Sequence, residues 1–149
     1  MMMLYENLLQ SSGFLSVSAE PFLSSLADAV VASFSGSVSV TIEKEIEDCW
    51  LRVGKTHPLG LILNELLTNS MKYAFVGRSS GKVALTFHVR EGRGELVVRD
   101  DGPGLPASIN FGSSPGLGLN LSLLLAKQIG GTIRNERGNG TKVIVEFPT

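Results

Sequence analysis

Hydrophobic residues recur with two different periods along this chain, and each change of period marks a new element. Stretches in which apolar residues return every three or four positions predict three helices, over residues 18–35, 58–75 and about 118–129. Ser18 is the predicted N-cap of the first helix, and Thr56 that of the central helix. The pair Gly130-Gly131 ends the third helix in the manner of a C-cap.

Strands are predicted where the period falls to two. These stretches cover residues 37–44, 49–53, 82–90, 95–100, 132–136 and 142–147. Short glycine-bearing segments at 91–94 and 137–140 connect two pairs of them as hairpins. The acidic run Glu43–Asp48 is predicted to be a solvated turn.

Three helices and about six strands, several of them in hairpins, predict an α/β fold. The economical architecture is a two-layer sandwich, in which a mixed, largely antiparallel sheet carries helices on one face. A parallel doubly wound sheet would need regular strand–helix–strand alternation, which the hairpins contradict. No repeat or linker divides the chain, so we expect one domain over residues 18–149, with residues 1–17 as a remnant of an upstream segment.

Composition and charge exclude several classes of protein. The chain has 149 residues, 43% hydrophobic and 18% charged, which is typical of a globular domain, and its net charge of −1 gives no general attraction to nucleic acid or to anionic membranes. The single cysteine, Cys49, excludes an internal disulfide framework and is expected to pack as a small apolar residue. No signal peptide and no apolar run of about 18 residues is present, so we expect a cytoplasmic location.

The central helix carries a polar edge beside its apolar face. Glu65 and Asn69 lie one helical turn apart, and Lys72 continues the line three residues later. An amide oxygen can bind a hard cation, a carboxylate can orient water, and an ammonium can bind phosphate, so this set suits a magnesium–phosphate group. For this helix taken alone, an ordinary solvated face is the simpler interpretation.

A second candidate lies at the end of the strand 95–100. Asp100 shares a strand face with Leu96 and Val98, so its carboxylate should point toward the core. A buried carboxylate needs a hydrogen-bond donor, and the exocyclic amine of adenine is one such donor. Gly102 and Gly104 would let the backbone approach a flat ligand closely. The alternative is an ordinary acidic turn in which backbone amides pair with Asp100.

Two further glycine-bearing segments follow. The run Ser113–Leu119 leads into the third helix, and glycines before a helix N-terminus expose backbone amides to an anion. It is neither a P-loop nor a dinucleotide fingerprint, because no Gly-Lys-Ser/Thr follows and no strand runs directly into it. In the last turn, Thr141 could offer a hydroxyl to an adjoining pocket.

The order of these motifs resembles the GHKL ATP-binding superfamily of gyrase, the Hsp90 chaperones, MutL and histidine kinases. The segments LGLILNELLTNSMKYAF, VRDDGPGLP, GLGLNL and GGTI are similar to those of the catalytic domain of bacterial sensor histidine kinases, in the subfamily whose helix reads NELxTNAxKYAF. The resemblance covers roughly residues 18–149 and implies the Bergerat fold, which is the same two-layer sandwich that the periodicity predicts.

The resemblance also implies roles for individual residues. Asn69 matches the magnesium ligand, and Glu65 the acidic position that activates the attacking group and can contact the metal through water. Lys72 matches a phosphate contact, Tyr73 the position beside the nucleotide, and Asp100 the aspartate that binds the adenine amine. The other implied nucleotide-binding positions are Gly102, Gly104, Gly116, Leu117, Gly118, Leu119 and Thr141. ATP and Mg²⁺ are the implied ligands.

The implied function is phosphoryl transfer from ATP to a histidine on a separate segment. That segment, in the same protein or a dimer mate, and a response regulator are the implied partners; nucleic acid and membrane are not, and the domain itself should be monomeric. Residues 1–18 contain no histidine, and neither His57 nor His88 has an acidic neighbour of the acceptor type. The loop between Leu105 and Gly116 is short, with Phe111 as its only aromatic residue, which suits a compact lid. The kinase would therefore be incomplete without an acceptor segment.

Other functions share this nucleotide fold. A serine kinase of the anti-sigma type would act on a serine of a partner protein, and a non-catalytic module would bind ATP without transfer. An ATPase of the gyrase or chaperone type is disfavoured, because those proteins continue into a transducer domain.

Overall fold

The computed structural model describes residues 15–34, 38–103, 119–138 and 140–149. Three helices, one π-helical turn and seven strands lie within these ranges. In chain order they are β1 (Ser16–Ser18), α1 (Ala19–Ser33), β2 (Ser39–Ile46), β3 (Trp50–Arg52), α2 (Val53–Asn69), the π turn (Ser70–Ala74), β4 (Ser80–Arg90), β5 (Arg93–Asp100), α3 (Leu119–Gln128), β6 (Thr132–Gly138) and β7 (Gly140–Pro148).

Five strands form one sheet in the order β2-β4-β5-β7-β6, and β1 pairs with β3 in a separate two-stranded sheet. Only the β2–β4 pair is parallel within the five-stranded sheet; β4–β5, β5–β7 and β6–β7 are antiparallel. The predicted mixed, largely antiparallel sheet is thus confirmed, and the doubly wound alternative is excluded.

The core lies between the helices and one face of the sheet. Alternate residues of β4 and β5 are buried, as period-two patterning requires; these include Val83, Leu85, Phe87, Leu96 and Val98. They pack in one cluster with apolar residues of all three helices. On the opposite face of the same strands, Lys82, Glu95 and Arg99 are exposed. The sheet therefore carries its helices on one face, as predicted.

Helix α1 begins where predicted, but another residue caps it. Ser18 occupies the N-cap position without making a side-chain cap bond. Its hydroxyl instead donates to Asp48 Oδ1 at 2.7 Å, and the same oxygen accepts the backbone N–H of Glu20 at 3.4 Å. The charged residues of the acidic run are exposed, as predicted, but the run is not a turn throughout, because β2 continues to Ile46 and Asp48 accepts hydrogen bonds at the helix start.

Helix α2 starts earlier than the sequence suggested. It begins at Val53, directly after β3, so the predicted strand over 49–53 shortens to Trp50–Arg52. Thr56 is not the cap: its hydroxyl donates to the carbonyl of Arg52 at 2.8 Å, one turn back. The side chain is buried, and this bond satisfies its polar group there.

The end of α3 confirms the predicted glycine C-cap. Gly130 has φ +75°, and the N–H groups of Gly130 and Gly131 donate to the carbonyls of Lys127 and Ala126 at 3.0 and 2.8 Å. The Nζ of Lys55, in α2, donates a hydrogen bond to the carbonyl of Ile129 at 2.8 Å. This contact places a positive charge at the negative end of the α3 dipole.

The central helix is not one continuous α-helix. Its α-helical part ends at Asn69, and Ser70–Ala74 form a wider π-helical turn. Single π turns are rare and often lie at functional sites, because they change the direction in which side chains project. The expectation of unbroken α-helical geometry up to Phe75 was therefore wrong for these five residues.

Candidate functional site

Asp100 is the buried carboxylate of the candidate site. It is the last residue of β5 and is 4% exposed, on the same face as Leu96 and Val98. Its predicted direction, toward the core side of the sheet, is confirmed. A carboxylate in such a position is costly unless donors satisfy it.

Three donors from three parts of the chain satisfy this carboxylate. Ser70 Oγ, in the π turn, donates to Oδ2 at 3.0 Å. The backbone N–H groups of Gly102 and Thr141 donate to Oδ1 at 3.0 and 3.2 Å. The turn after β5 and the start of β7 therefore meet the end of the central helix at Asp100. The backbone N–H bonds to Asp100 are those that an ordinary acidic turn would also provide. The bond from the Ser70 side chain is an additional one.

The carboxylate has acceptor capacity left for a ligand. An ionised carboxylate offers about four lone-pair sites, and these three bonds use two at Oδ1 and one at Oδ2. Counting only donors from the part of the chain that the structure describes, one site at Oδ2 therefore remains for a further donor. The exocyclic amine of adenine fits this requirement, because it can donate to that oxygen without displacing a protein donor.

Two glycines allow the close approach of the segments around Asp100. A Cβ on Gly102 would lie 2.6 Å from the carbonyl oxygen of Ala74 in the π turn. Gly140 has φ +91°, and a Cβ there would collide with the carbonyl oxygen of Asp100. Neither position accepts a side chain without movement of the backbone, so both glycines hold the three segments together.

The polar edge of α2 lies beside this junction. Glu65 and Asn69 are both half-buried and one turn apart on the α-helical part, as predicted. Lys72 is exposed and Tyr73 is 49% exposed, both in the π turn. Because of the wider turn, Lys72 does not continue the line of Glu65 and Asn69 with α-helical spacing. Its predicted phosphate contact stays a prediction.

The structure describes only part of the predicted glycine segments. Gly104, Gly116, Leu117 and Gly118 lie outside the described residues, as does Phe111. Leu119 is the first residue of α3. Thr141 is half-buried, and its backbone rather than its hydroxyl contacts Asp100. The roles of these residues as nucleotide contacts remain predictions.

Sequence reasoning missed Ser70 and Gly140 as members of the site. A signal for Ser70 was present, because it continues the apolar stripe of Leu63, Leu66 and Leu67 as a polar residue and is only 7% exposed. A polar side chain in a buried stripe needs a partner. No local signal identified Gly140, because its neighbour Asp100 lies forty residues away in the chain.

The turn beyond Asp100 is held by a second aspartate. Asp101 Oδ1 accepts the backbone N–H of Lys82 at 3.0 Å, and its Oδ2 forms an ion pair with Arg78 at 3.1 Å. The hydrogen bond from Lys82 and the nearby Arg78 guanidinium lower the pKa of Asp101 below its ordinary value of 3.8. This contact fixes the residues that lead to Gly102.

The described residues hold no metal cage of their own. Within these ranges, no group of three or more His, Cys, Asp or Glu side chains could bind a metal ion. Magnesium usually keeps several waters and takes one or two protein ligands plus phosphate oxygens, so a site at Asn69 and Glu65 needs no such cage. None of the helices in the same ranges combines the length and hydropathy that a membrane span requires.

The fold and the site define a two-layer α/β domain with a candidate ligand site where the end of the central helix meets β5 and β7. The chain belongs to the histidine kinase-, DNA gyrase B- and HSP90-like ATPase family, whose model matches residues 54–149. The resemblance to the GHKL superfamily is thereby confirmed.

Named relatives place the chain beside histidine kinases within this family. It is 30% identical over 115 residues to blue-light-activated histidine kinase 2 of Erythrobacter litoralis, an overlap of 76% of this chain and 33% of that protein. It is 31% identical over 94 residues to the sensor protein ChvG of Agrobacterium fabrum, covering 52% of this chain and 15% of ChvG. The chain thus spans a third or less of these two relatives.

Solved structures agree with this placement. The histidine kinase domain of the Erythrobacter litoralis EL346 blue-light-activated kinase matches with a TM-score of 0.76 at 29% identity, covering 85% of this chain and 58% of that one. The mycobacterial sensor histidine kinase MprB shares the fold, with a TM-score of 0.70 at 21% identity over 90% of this chain and 96% of that chain. The likeness to sensor histidine kinase catalytic domains, predicted from the motifs, is confirmed.

Proposed function

We propose that this chain binds ATP with Mg²⁺ and holds the γ-phosphate for transfer to a histidine on a separate segment. The observation that carries the proposal is the buried Asp100 carboxylate, which three donors among the described residues hold in place and whose Oδ2 keeps one lone-pair site that these bonds do not use. Membership of the ATPase family and the similarity to named histidine kinases support it.

The residues present fit the ligand at both ends of the site. Asp100 supplies the acceptor for the base, and Gly102, which packs closely against Ala74, donates its N–H to that carboxylate. Asn69 and Glu65 lie half-buried on α2, with the amide and carboxylate oxygens that Mg²⁺ prefers. When bound, the metal would neutralise phosphate charge, which is the main electrostatic requirement of phosphoryl transfer.

The protein's own contribution is then chiefly orientation. Asp100, at the end of β5, would fix the base, and groups on α2 and the π turn would fix the phosphates, so the nucleotide would take its direction from the strand end and the helix together. Lys72 would contribute an ammonium to the phosphates, and Glu65 would orient the attacking group. Catalysis by positioning of this kind requires an acceptor brought in from another segment.

Nucleotide binding is tested by calorimetric titration of the chain with ATP in the presence and absence of Mg²⁺. Asp100→Asn tests the adenine contact with little change to the contacts within the protein. The amide oxygen can still accept the N–H groups of Gly102 and Thr141, while the NH₂ group faces the Ser70 hydroxyl. We expect it to stay folded and to lose preference for adenine. Unchanged ATP affinity in this variant would contradict the assignment of Asp100.

The metal assignment has its own variant. Asn69→Ala should abolish the dependence of ATP binding on Mg²⁺, since it removes the predicted ligand, whereas Arg52→Ala at the opposite end of α2 serves as a control. If Asn69→Ala binds MgATP and supports transfer as well as the unsubstituted chain, the metal role is withdrawn.

Transfer is tested with the intact protein or with an added acceptor segment. Radiolabelled ATP should give an acid-labile, base-stable phosphoprotein, as a phosphohistidine does, and the label should pass to a response regulator. An acid-stable phosphoserine on a partner would favour the anti-sigma-type kinase instead, and ATP binding without transfer a non-catalytic module. We also propose a cytoplasmic location and a monomeric state for the domain alone, the latter checked by light scattering.

A further inference from the structure

Ser70 is a buried polar residue at the point where the central helix changes geometry. It is the first residue of the π turn and is 7% exposed. Its hydroxyl donates to Asp100 Oδ2 at 3.0 Å, across thirty residues of sequence. The helix therefore contributes directly to the environment of the candidate adenine acceptor.

The direction of this hydrogen bond decides what the pair can offer a ligand. A serine hydroxyl has one proton, and here that proton is directed to the Asp100 carboxylate. The two lone pairs of Oγ and the remaining site at Asp100 Oδ2 are all acceptors. The pair therefore presents acceptors and no donor.

Such a pair discriminates between purines by the group at their 6-position. An amine at that position donates hydrogen bonds and satisfies the acceptors. An oxo group is itself an acceptor, so it would face the lone pairs of Ser70 and Asp100 and leave these buried polar groups unpaired. The free-energy cost of unpaired buried polar groups is the main source of selectivity in polar sites.

We infer that Ser70 is a specificity-determining residue, which holds the Asp100 carboxylate in place and makes the site select a 6-amino purine over a 6-oxo purine. This inference rests on the proposed ATP-binding function and deepens it. Ser70 acts through Asp100, and so it is a positioning residue whose loss should change base preference more than overall stability.

The π turn supports this role by its packing. Ala74, at the other end of the turn, lies against Gly102, whose Cβ would come within 2.7 Å of the Ala74 Cβ. The turn is thus fixed at both ends to the segment that carries Asp100, at Ser70 by a hydrogen bond and at Ala74 by direct contact. These two contacts hold the backbone of the turn in the position that brings the Ser70 hydroxyl to Asp100.

The test compares the affinities of ATP and inosine triphosphate for the full 149-residue chain, measured by calorimetry. Ser70→Ala should weaken ATP binding by about tenfold, the size expected for one lost hydrogen bond to a charged group, and should leave inosine triphosphate binding nearly unchanged. Ser70→Thr keeps the hydroxyl and should retain most of the preference. Ser70→Cys keeps the volume with a weaker donor and should fall between alanine and the unsubstituted chain.

Thr56→Val is the matched control, because it removes another buried hydroxyl bond at the far end of the same helix. It should lower stability while leaving the ratio of ATP to inosine triphosphate affinity unchanged. In the Asp100→Asn background, Ser70→Ala should cause no further loss of ATP affinity, since the group through which it acts has changed.

The outcomes separate this inference from the proposed function. If the unsubstituted chain binds neither nucleotide, the proposed function fails and the inference fails with it. If the chain prefers ATP and Asp100→Asn removes that preference while Ser70→Ala keeps it, the inference alone is overturned. Equal losses for both nucleotides in Ser70→Ala, not restored by threonine, would also overturn it, because they would indicate a purely structural role.

Discussion

At the scale of single residues, the junction around Asp100 depends on positions that accept no side chain. Gly140 has a left-handed backbone, φ +91°, and a Cβ at this position would collide with the Asp100 carbonyl oxygen. Thr141, the next residue, donates its N–H to the Asp100 carboxylate. A change at Gly140 should therefore affect both stability and the site.

Gly140→Ala should destabilise the fold by about 1–3 kcal/mol, because alanine is strained at positive φ and its methyl group would displace the Asp100 backbone. Urea unfolding measures the loss, and ATP affinity should fall with it. Gly138→Ala is a close control in the same turn, since a Cβ there meets nothing within 4 Å. Similar losses in the two variants would contradict the specific role of Gly140.

At the scale of elements, helix ends are satisfied by residues distant in sequence. At the N-terminus of α1, Asp48 accepts hydrogen bonds from the Ser18 hydroxyl and the Glu20 N–H. At the C-terminus of α3, Lys55 of α2 donates to a backbone carbonyl. Each charge has the sign that stabilises the helix end it meets. The helices are thus fixed to their neighbours at their ends as well as through their apolar faces.

Asp48→Ala should cost about 1 kcal/mol of stability, the usual size of a lost N-cap. Ser18→Ala alone should cost less, because Ser18 holds Asp48 and does not cap the helix itself. The double variant should be no less stable than Asp48→Ala, since both changes remove one shared arrangement. Additive losses in thermal or urea unfolding would show that the two residues act independently.

At the scale of the whole molecule, exposed carboxylates make the folded state sensitive to acid. The pKa of Asp101 is lowered, first by the Lys82 N–H, and that of Glu136 is lowered, first by its hydrogen bond with Arg134. A carboxyl group with a lower pKa in the folded state binds fewer protons than in the unfolded chain as the pH falls. Its stabilising contribution is therefore present above the ordinary values of 3.8 and 4.5 and is lost below them.

The free energy of unfolding should consequently fall as the pH is lowered from 5 toward 3, and Asp101→Asn should reduce the size of that fall. The two proteins should differ in stability at pH 5 and converge at the lowest pH. Glu45→Gln, at an exposed position of β2, controls for the loss of one negative charge. Parallel curves for the unsubstituted chain and Asp101→Asn would contradict the contribution of Asp101.

Much of this fold could be predicted from the sequence, because the type and the buried face of each element follow from the local period of its apolar residues. The alternation in β4 and β5 gave the buried face, including the direction of Asp100, and the glycine pair at 130–131 marked the end of α3. The motifs around Asn69 and Asp100 indicated the family. Each of these features depends on neighbours within a few residues.

The remaining features arise from contacts between distant segments. The capping of α1 joins Ser18 to Asp48 over thirty residues, and the same separation lies between Ser70 and Asp100. The π turn replaces α-helical geometry where Ala74 packs on Gly102, a contact that no local pattern reveals. Periodicity shows which face is buried, but it cannot show which residue lies opposite.

The three donors to Asp100 come from residues 70, 102 and 141, and this order has a kinetic consequence. Synthesis proceeds from the N-terminus, so the chain has made α2, β4 and β5 well before β7, the strand that carries Thr141. Contacts between such distant segments also form late, because closing long loops costs chain entropy. The hydrogen bonds around Asp100 should therefore be completed in one of the last steps of folding.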